Sequence, residues 1–413
     1  MTVNKKFKII FASVLGNALE FYNLTLYGVM ASKFANLYFP NSSKILSLIA
    51  SLGAFAAAFL VRPIGAILFG SIGDRFGRKK ALGLSILCMG FPTVLIGVLP
   101  GYEAIGLFAP IILLLCRIAQ GLCAGGEFNG AIVFALEHVG KDRPGLVGGT
   151  IIGSCLFGSI LAIGTSAVIL NPKIGGEWWR LSFIIGGSMC IFGYYIRKKL
   201  DESPDFLQVE KSKRILKTPL KSVFSRHLSS FSYVLSIGAF DGLLTYTLIA
   251  FLSVYLTNYL EIPTYDAALY GLAGFISCMI GCPFFGWYAD RYGARETLVL
   301  SSILIFGLCI PVFMAFNASQ WFSILFGHIV YGFLVSSIIG VQPLFSQRLF
   351  PTQDRYTGIS FAYSLGVGVV GGLTPMFLTM LTEFHSSLIA PSFYIMGATF
   401  IFLTILLTMP KRK

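Results

Sequence analysis

Long apolar runs broken by short charged turns set the rhythm of this 413-residue chain. A helix needs about 20 mostly apolar residues to cross the hydrocarbon core of a bilayer. Twelve runs meet that length, near 8–31, 45–71, 80–99, 105–138, 146–170, 180–197, 228–258, 267–288, 297–316, 321–348, 357–382 and 389–409. The longest runs predict tilted or extended helices. The longest polar stretch, RKKLDESPDFLQVEKSKRILKTPLKSVFSRH, occupies 197–227 and has six runs on either side. The pattern predicts an all-α integral membrane protein of twelve transmembrane helices in two pseudo-symmetric six-helix halves. Their expected bounds are 1–197 and 228–413, joined by a linker over 198–227.

Composition sharpens this picture. The chain is 55% hydrophobic and only 12% charged, against about 25% charged in soluble domains. With 38 Phe and 45 Gly, a large soluble enzyme is excluded, because so much apolar surface cannot stay in water. The opening MTVNKKFKIIFASVLGNALE resembles a signal peptide. However, Gly16, Asn17 and Glu20 interrupt its apolar run, which continues to about Met30, so an uncleaved first helix is expected. With the N-terminus inside, the loops on the inner side hold 25 of the 31 Lys and Arg, and the outer loops four: Lys33, Lys44, Lys173 and Arg180. This bias predicts that both termini are cytoplasmic. It also accounts for the net charge of +13 without a nucleic-acid partner. Trp178, Trp179, Trp287 and Trp321 fall near span ends, where indole prefers the interface. The eight cysteines lie in apolar runs without CxxC or zinc spacing and read as packing residues.

Two turns are nearly the same. GSIGDRFGRKK begins at Gly70 and GWYADRYGARE at Gly286, between runs 2 and 3 and between runs 8 and 9. Equal places in the two halves make this an internal repeat. Gly73 and Gly77 allow a tight turn. Asp74 can accept charge-assisted bonds or meet a helix N-terminus, and Arg75 and Arg78 offer planar donor forks. Gly77, Asp290 and Arg291 complete the candidate conformational lock. The alternative is a positive loop that only sets topology.

GDRFGRK and ADRYGAR resemble the signature turn of the major facilitator superfamily and its weaker second copy. RPIGAILFGSIGDRFGRKK (62–80), RIAQGLCAGGEFNGAIVFALEH (117–138), LDESPDF (200–206), LFPTQDRYTGIS (349–360) and GGLTP (371–375) follow in order. Together they resemble the metabolite:proton symporters, the branch holding proline/betaine and organic-acid transporters. The resemblance spans nearly the whole chain. It implies two six-helix halves working by alternating access around a midplane site, and a turn that locks conformation rather than binding substrate. Many relatives carry Asp where Asn23 stands here, which puts the usual proton carrier in doubt. Exporters of the superfamily often carry Pro in span 5. GTIIGSCLFGSILAIGTSA has none, which leans toward uptake.

Charges inside a bilayer are costly and become functional candidates. Here they are Glu20, Arg62, Arg117, Glu127 and Asp241. Glu20, Asn23, Leu24 and Tyr27 share one face of span 1. Glu20 is the leading proton carrier, unless it stays ionised beside an Arg. Arg117, Gln120 and Glu127 share a face of span 4. Arg117 suits a substrate carboxylate bidentately, or it pairs with Glu20. Arg62, before Pro63, reads as structural. Asp241 in span 7 is a second proton candidate, with Tyr246 beside it. His328 reads as a satisfied hydrogen-bonder. GVGVVGGLTP (366–375) lacks the strand and the Lys-Ser/Thr of a phosphate loop, and no Walker sequence occurs, so neither a cofactor nor direct ATP drive is expected.

The expected protein is a monomeric, proton-coupled symporter of a bacterial inner membrane. It would import a small zwitterion such as proline or betaine, with the substrate, protons and lipid as its partners. Phe21, Tyr22, Tyr27 and Tyr246 offer faces for a quaternary ammonium. The alternatives are an organic-acid symporter (2-oxoglutarate, citrate or shikimate), an uncoupled facilitator or exchanger of the same fold, and a transporter-like sensor. KRK follows the last run without a heptad tail, so no osmosensing extension is expected.

Overall fold

A chain in lipid must close its backbone hydrogen bonds within each span, and long apolar runs do so as helices. The computed structural model describes residues 3–40, 44–139, 142–169, 178–318, 320–385 and 387–410, and all twelve runs are helical there. The helices of the first half are α1 Val3–Tyr38, α2 Lys44–Leu60, α3 Arg62–Phe76, α4 Arg78–Val98, the short α5 Tyr102–Ile105, α6 Phe108–Val139, α7 Pro144–Ile169 and α8 Trp179–Lys198. The linker forms α9 Pro204–Lys211 and α10 Pro219–Arg226. The second half holds α11 Leu228–Tyr246, α12 Leu252–Asn258, α13 Thr264–Tyr292, α14 Ala294–Asn317, α15 Trp321–Ile339, α16 Gln342–Gln347, α17 Arg355–Gly366, α18 Gly372–His385 and α19 Ala390–Thr408.

Among the described residues, eleven spans are long and apolar enough to cross a membrane. The remaining run is α8, whose 20 residues carry Arg180 near one end and Arg197 and Lys198 at the other. Lys141, Lys173, Lys411, Arg412 and Lys413, counted in the charge bias, lie outside the described residues.

Burial is inverted relative to a water-soluble fold. Leu60, Phe91, Leu107, Trp321 and Phe384 are among the most exposed side chains, while Asn17, Glu20, Arg117 and Glu127 are buried. That is the arrangement a hydrocarbon solvent favours. Trp178, Trp287 and Trp321 are exposed, but Trp179 is wholly buried. It packs edge-on against Phe34 and Phe183 and serves as core rather than as an interface anchor.

Two compact units form. The first comprises Met1–His138, Phe157–Ser225 and Pro351–Phe361; the second comprises Val139–Leu156, Arg226–Phe350 and Ala362–Lys413. The beginning of α17 therefore groups with first-half helices, and the beginning of α7 with second-half helices. In the first unit α4 packs along α8, and α1 against α2 and α8; in the second, α15 packs against α13 and α14.

Three interruptions shape the spans. Pro63 at the start of α3 cannot donate its backbone nitrogen, and span 2 is broken at Val61, just before Arg62. Spans 7 and 11 each contain a π-helical turn, at Thr247–Phe251 and Val367–Gly371. The two spans approach each other closely, with Gly242 against Gly371.

The first unit depends on backbone-to-backbone approach between span 2 and α6. A Cβ at Gly121 would stand 2.1 Å from the Ala58 carbonyl oxygen, and one at Gly125 would stand 2.1 Å from that of Arg62. Gly164 has open space instead. Gly125→Leu is expected to abolish the monodisperse peak in detergent size-exclusion chromatography, and Gly164→Ala to leave it unchanged. Equal tolerance of both would show that this contact is not needed.

Candidate functional site

Spans 1 to 4 of the first unit line an open hollow with about 330 Å3 of non-atom space, the solvent at its mouth included. Its polar lining comes from Glu20 and Asn23 on α1, Arg62 at the break in span 2, and Arg117 and Gln120 on α6, with Phe59 beside them. The break places Arg62 against Glu20, with Nη2 donating to Oε1 at 2.8 Å. Glu20 thus pairs with Arg62 and not with Arg117. Its second oxygen, Oε2, has no hydrogen-bond partner. The Asn23 amide donates weakly to Cys190 Sγ, at 3.6 Å, and its oxygen is unpartnered.

Arg117 is 1% exposed. Its Nη1 donates to Gln120 Oε1 at 2.8 Å, and Gln120 Nε2 in turn donates to Thr93 Oγ1 at 2.8 Å. Its Cζ stands 4.2 Å from the centre of the Tyr27 ring and 5.4 Å from that of Phe55. The Tyr27 hydroxyl donates to the Ser51 carbonyl, which fixes that ring. Held in this way, the guanidinium leaves Nε and Nη2 without partners. Among the described residues no carboxylate forms an ion pair with it.

Glu127, expected on the same face, does not line the hollow. It is wholly buried and paired with Arg197 of α8, whose Nη1 and Nη2 donate to its two oxygens, while Ser85 Oγ donates at 2.7 Å. Arg197 was counted with the linker charges, yet it is 4% exposed. The LGLSI and YYIRKK contexts hide this, because an Arg at a run's end reads as a flanking charge. Arg197 alters the balance of embedded charge. With Arg197 included, Glu20 and Glu127 stand against Arg62, Arg117 and Arg197, an excess of one positive charge in this group.

Asp241, in the second unit, is 4% exposed. Thr245 Oγ1 donates to it at 2.9 Å and the Tyr363 hydroxyl at 2.6 Å. Among the described residues no Lys or Arg pairs with it, so protonating this acid would strand no cation. Tyr246 is half-buried and packs on Gly371. His328 donates from Nδ1 to the Ile324 carbonyl at 2.9 Å, the satisfied state expected for it.

The repeated turns have matching geometry. Gly77 and Gly293 stand between consecutive helices at φ 104° and φ 99°, a region that favours glycine. The backbone N–H groups of Tyr356 and Thr357, at the start of α17, donate to Asp74 at 3.2 and 2.8 Å. Those of Gly145 and Leu146, at the start of α7, donate to Asp290 at 2.6 and 2.8 Å. Each aspartate therefore caps a helix of the opposite sequence half, where a carboxylate meets unpaired donors and the positive end of the helix dipole.

The difference between the copies that bears on this geometry is Arg78 in the first against Ala294 in the second. Arg78 is wholly buried. It donates to Glu137, to the Gly73 carbonyl and to the Thr352 carbonyl, and it pairs with Asp74 at 3.3 Å. Arg355 bridges Glu137 and Asp205 at 2.9 and 3.0 Å. Glu202 accepts the N–H groups of Arg78 and Lys79 at the start of α4. Burial pushes its carboxyl above the ordinary range, while those bonds and the nearby Arg78 charge pull it back. Ser203 caps α9 and donates to Glu137. ESPDF and PTQDRYTG thus converge on the first turn, a role that their spacing alone does not reveal. Arg75 and Arg291 are exposed, so they take no part in the buried network.

The comparisons agree with this architecture. The family model described as Major Facilitator Superfamily matches residues 13–375 and 280–413. The proline/betaine transporter of Salmonella typhimurium is 32% identical over 403 residues, 94% of this chain and 80% of that one. The glycine betaine/proline/ectoine/pipecolic acid transporter OusA of Dickeya dadantii gives the same identity and coverage. The inner membrane metabolite transport protein YhjE of Escherichia coli is 34% identical over 88% of this chain and 85% of its own. The proton:xylose symporter XylE, bound to 6-bromo-6-deoxy-D-glucose, superposes with a TM-score of 0.80 at 16% identity, covering 99% of this chain and 96% of its own.

A cap formed by two charge-assisted bonds is worth about 1.5–3 kcal/mol per bond, enough to shift a two-state equilibrium by tenfold or more. Asp74→Asn and Asp290→Asn are each expected to slow substrate flux by about tenfold without reordering which substrates compete, as measured by uptake into proteoliposomes. A changed order of competitors would mean that these turns help select substrate. The caps, the paired interior charges and the matching sequences lead to one conclusion: the chain is a membrane transporter of the major facilitator superfamily, in the branch that includes the proline/betaine transporters.

Proposed function

We propose that this protein is a proton-coupled symporter that imports a small carboxylate-bearing metabolite across a bacterial inner membrane, with its Lys/Arg-rich turns on the cytoplasmic side. The observation that carries this reading is Arg117, a buried guanidinium with two unpartnered donors at the wall of a hollow. Nε and Nη2 lie on one edge of the guanidinium plane, the edge that matches two carboxylate oxygens. Tyr27, Phe55 and Gln120 hold the plane in place, so little entropy is lost when a carboxylate docks.

Coupling needs a group that changes charge during the cycle. Glu20 and Glu127 are matched by Arg62 and Arg197, and neutralising either acid would leave a half-buried or buried cation unmatched, a costly state. Asp241 has only hydroxyl donors around it. We therefore assign the proton to Asp241 rather than to Glu20, and leave Asn23, an amide, as a lining group. The unmatched positive charge receives the substrate and the unmatched negative charge receives the proton. The caps at Asp74 and Asp290 open and re-form as the helices move between access states. Names of relatives favour zwitterions such as proline over organic acids.

Asp241→Asn is expected to abolish proton-driven accumulation in proteoliposomes and to retain substrate exchange across the membrane at a rate within about threefold of wild type. Accumulation that survives in the variant and still collapses with a protonophore would move the proton to another group. Accumulation that is absent from the wild type at any imposed gradient would make the protein a facilitator.

A further inference from the structure

The hollow presents a particular set of unpartnered polar atoms. It carries free donors, Nε and Nη2 of Arg117, and two free acceptors, Oδ1 of Asn23 and Oε2 of Glu20, of which only the second is a carboxylate oxygen; Glu20 is 2% exposed. A buried carboxylate oxygen without a donor is costly to leave unpaired. The first oxygen of Glu20 is taken by Arg62, so the pair is held in place and Oε2 stays presented.

The aromatic rings beside the hollow already carry other contacts. Tyr27 and Phe55 are occupied by the Arg117 guanidinium. Phe59, which lines the hollow, lies under Arg62 with Cζ 5.8 Å from the ring centre. Phe21 packs on Phe128, and neither Phe21 nor Tyr22 lines the hollow. A cage of aromatic rings is the usual solution for a cation that has no N–H. Here the alternative solution is present, a carboxylate that accepts from N–H.

We propose that the site selects zwitterions whose cationic nitrogen carries at least one hydrogen, such as a primary or secondary amino acid, and discriminates against fully alkylated betaines. The substrate carboxylate docks on Arg117, and its ammonium donates to Glu20 Oε2. This rests on the assignment of Arg117 as the carboxylate anchor. A dicarboxylate would bring a second negative charge toward Glu20 and is disfavoured. A site built to receive an N–H rejects an analogue lacking it more strongly than an apolar pocket rejects a change of size.

The test is isothermal titration calorimetry on the purified full-length protein with L-proline, N,N-dimethyl-L-proline and 2-oxoglutarate. The two proline compounds share a ring and a carboxylate and differ only at nitrogen. In the wild type L-proline is expected to bind at least about tenfold more tightly than its dimethyl analogue. Glu20→Gln is expected to weaken L-proline to the level of the analogue and to leave the analogue unchanged. Arg117→Met is expected to abolish binding of both. Equal affinities in the wild type, both lost in Arg117→Met, would overturn the assignment of Glu20 and keep that of Arg117. L-Proline binding that is unchanged in Arg117→Met would overturn both assignments. Tighter binding of 2-oxoglutarate than of L-proline, or no binding by any of the three, would overturn the proposal. The wild-type comparison needs no variant, so a Glu20→Gln protein that fails to fold does not protect the idea.

Discussion

A guanidinium removed from water costs several kcal/mol unless a carboxylate and hydrogen bonds compensate. That constraint governs how this protein is built. Arg62, Arg78, Arg197 and Arg355 each meet a carboxylate. Arg117 alone among these five is compensated by a neutral amide and two ring faces. Cation–π contact and one neutral hydrogen bond hold the group in place without neutralising it. The resulting deficit is specific in geometry, because the unpartnered donors lie at the wall of a hollow.

The two repeated turns solve a different problem with the same chemistry. A helix that begins next to a neighbouring element leaves backbone N–H groups short of partners. Asp74 and Asp290 supply those partners from another helix, so a cap also becomes a cross-helix latch. The first latch is reinforced by Arg78, Glu137, Arg355 and Asp205, which form a buried and half-buried network. The second has Ala294 where Arg78 would stand, and its aspartate acts without that network. The first turn is therefore tied down by more charged contacts than the second.

The spans were legible in the sequence because hydrocarbon thickness imposes a run length that few other folds share. The repeated turn was legible because its glycines and charges interrupt apolar runs at equal positions in both halves. Partners were less legible. Glu127 and Arg117 lie on one helical face by spacing, yet the first faces α8 and the second faces the hollow. Arg197 sits at the edge of its run, where sequence cannot distinguish a flanking charge from a buried ion pair. Arg62 read as structural because Pro63 marks a break, and the break is what turns its side chain toward Glu20. Pairing across spans depends on packing, which residue spacing within one span does not encode.

The central claim is that Arg117 waits for a carboxylate. The most direct test is ligand-induced thermal stabilisation of the purified protein, comparing L-proline with L-prolinamide, which keeps the ring and the amine and lacks the anion. A ligand that binds only the folded state raises the unfolding temperature in proportion to its occupancy. The account predicts a concentration-dependent rise with L-proline, none with L-prolinamide, and no rise with either in Arg117→Met. A rise with the amide equal to that with the acid would contradict it.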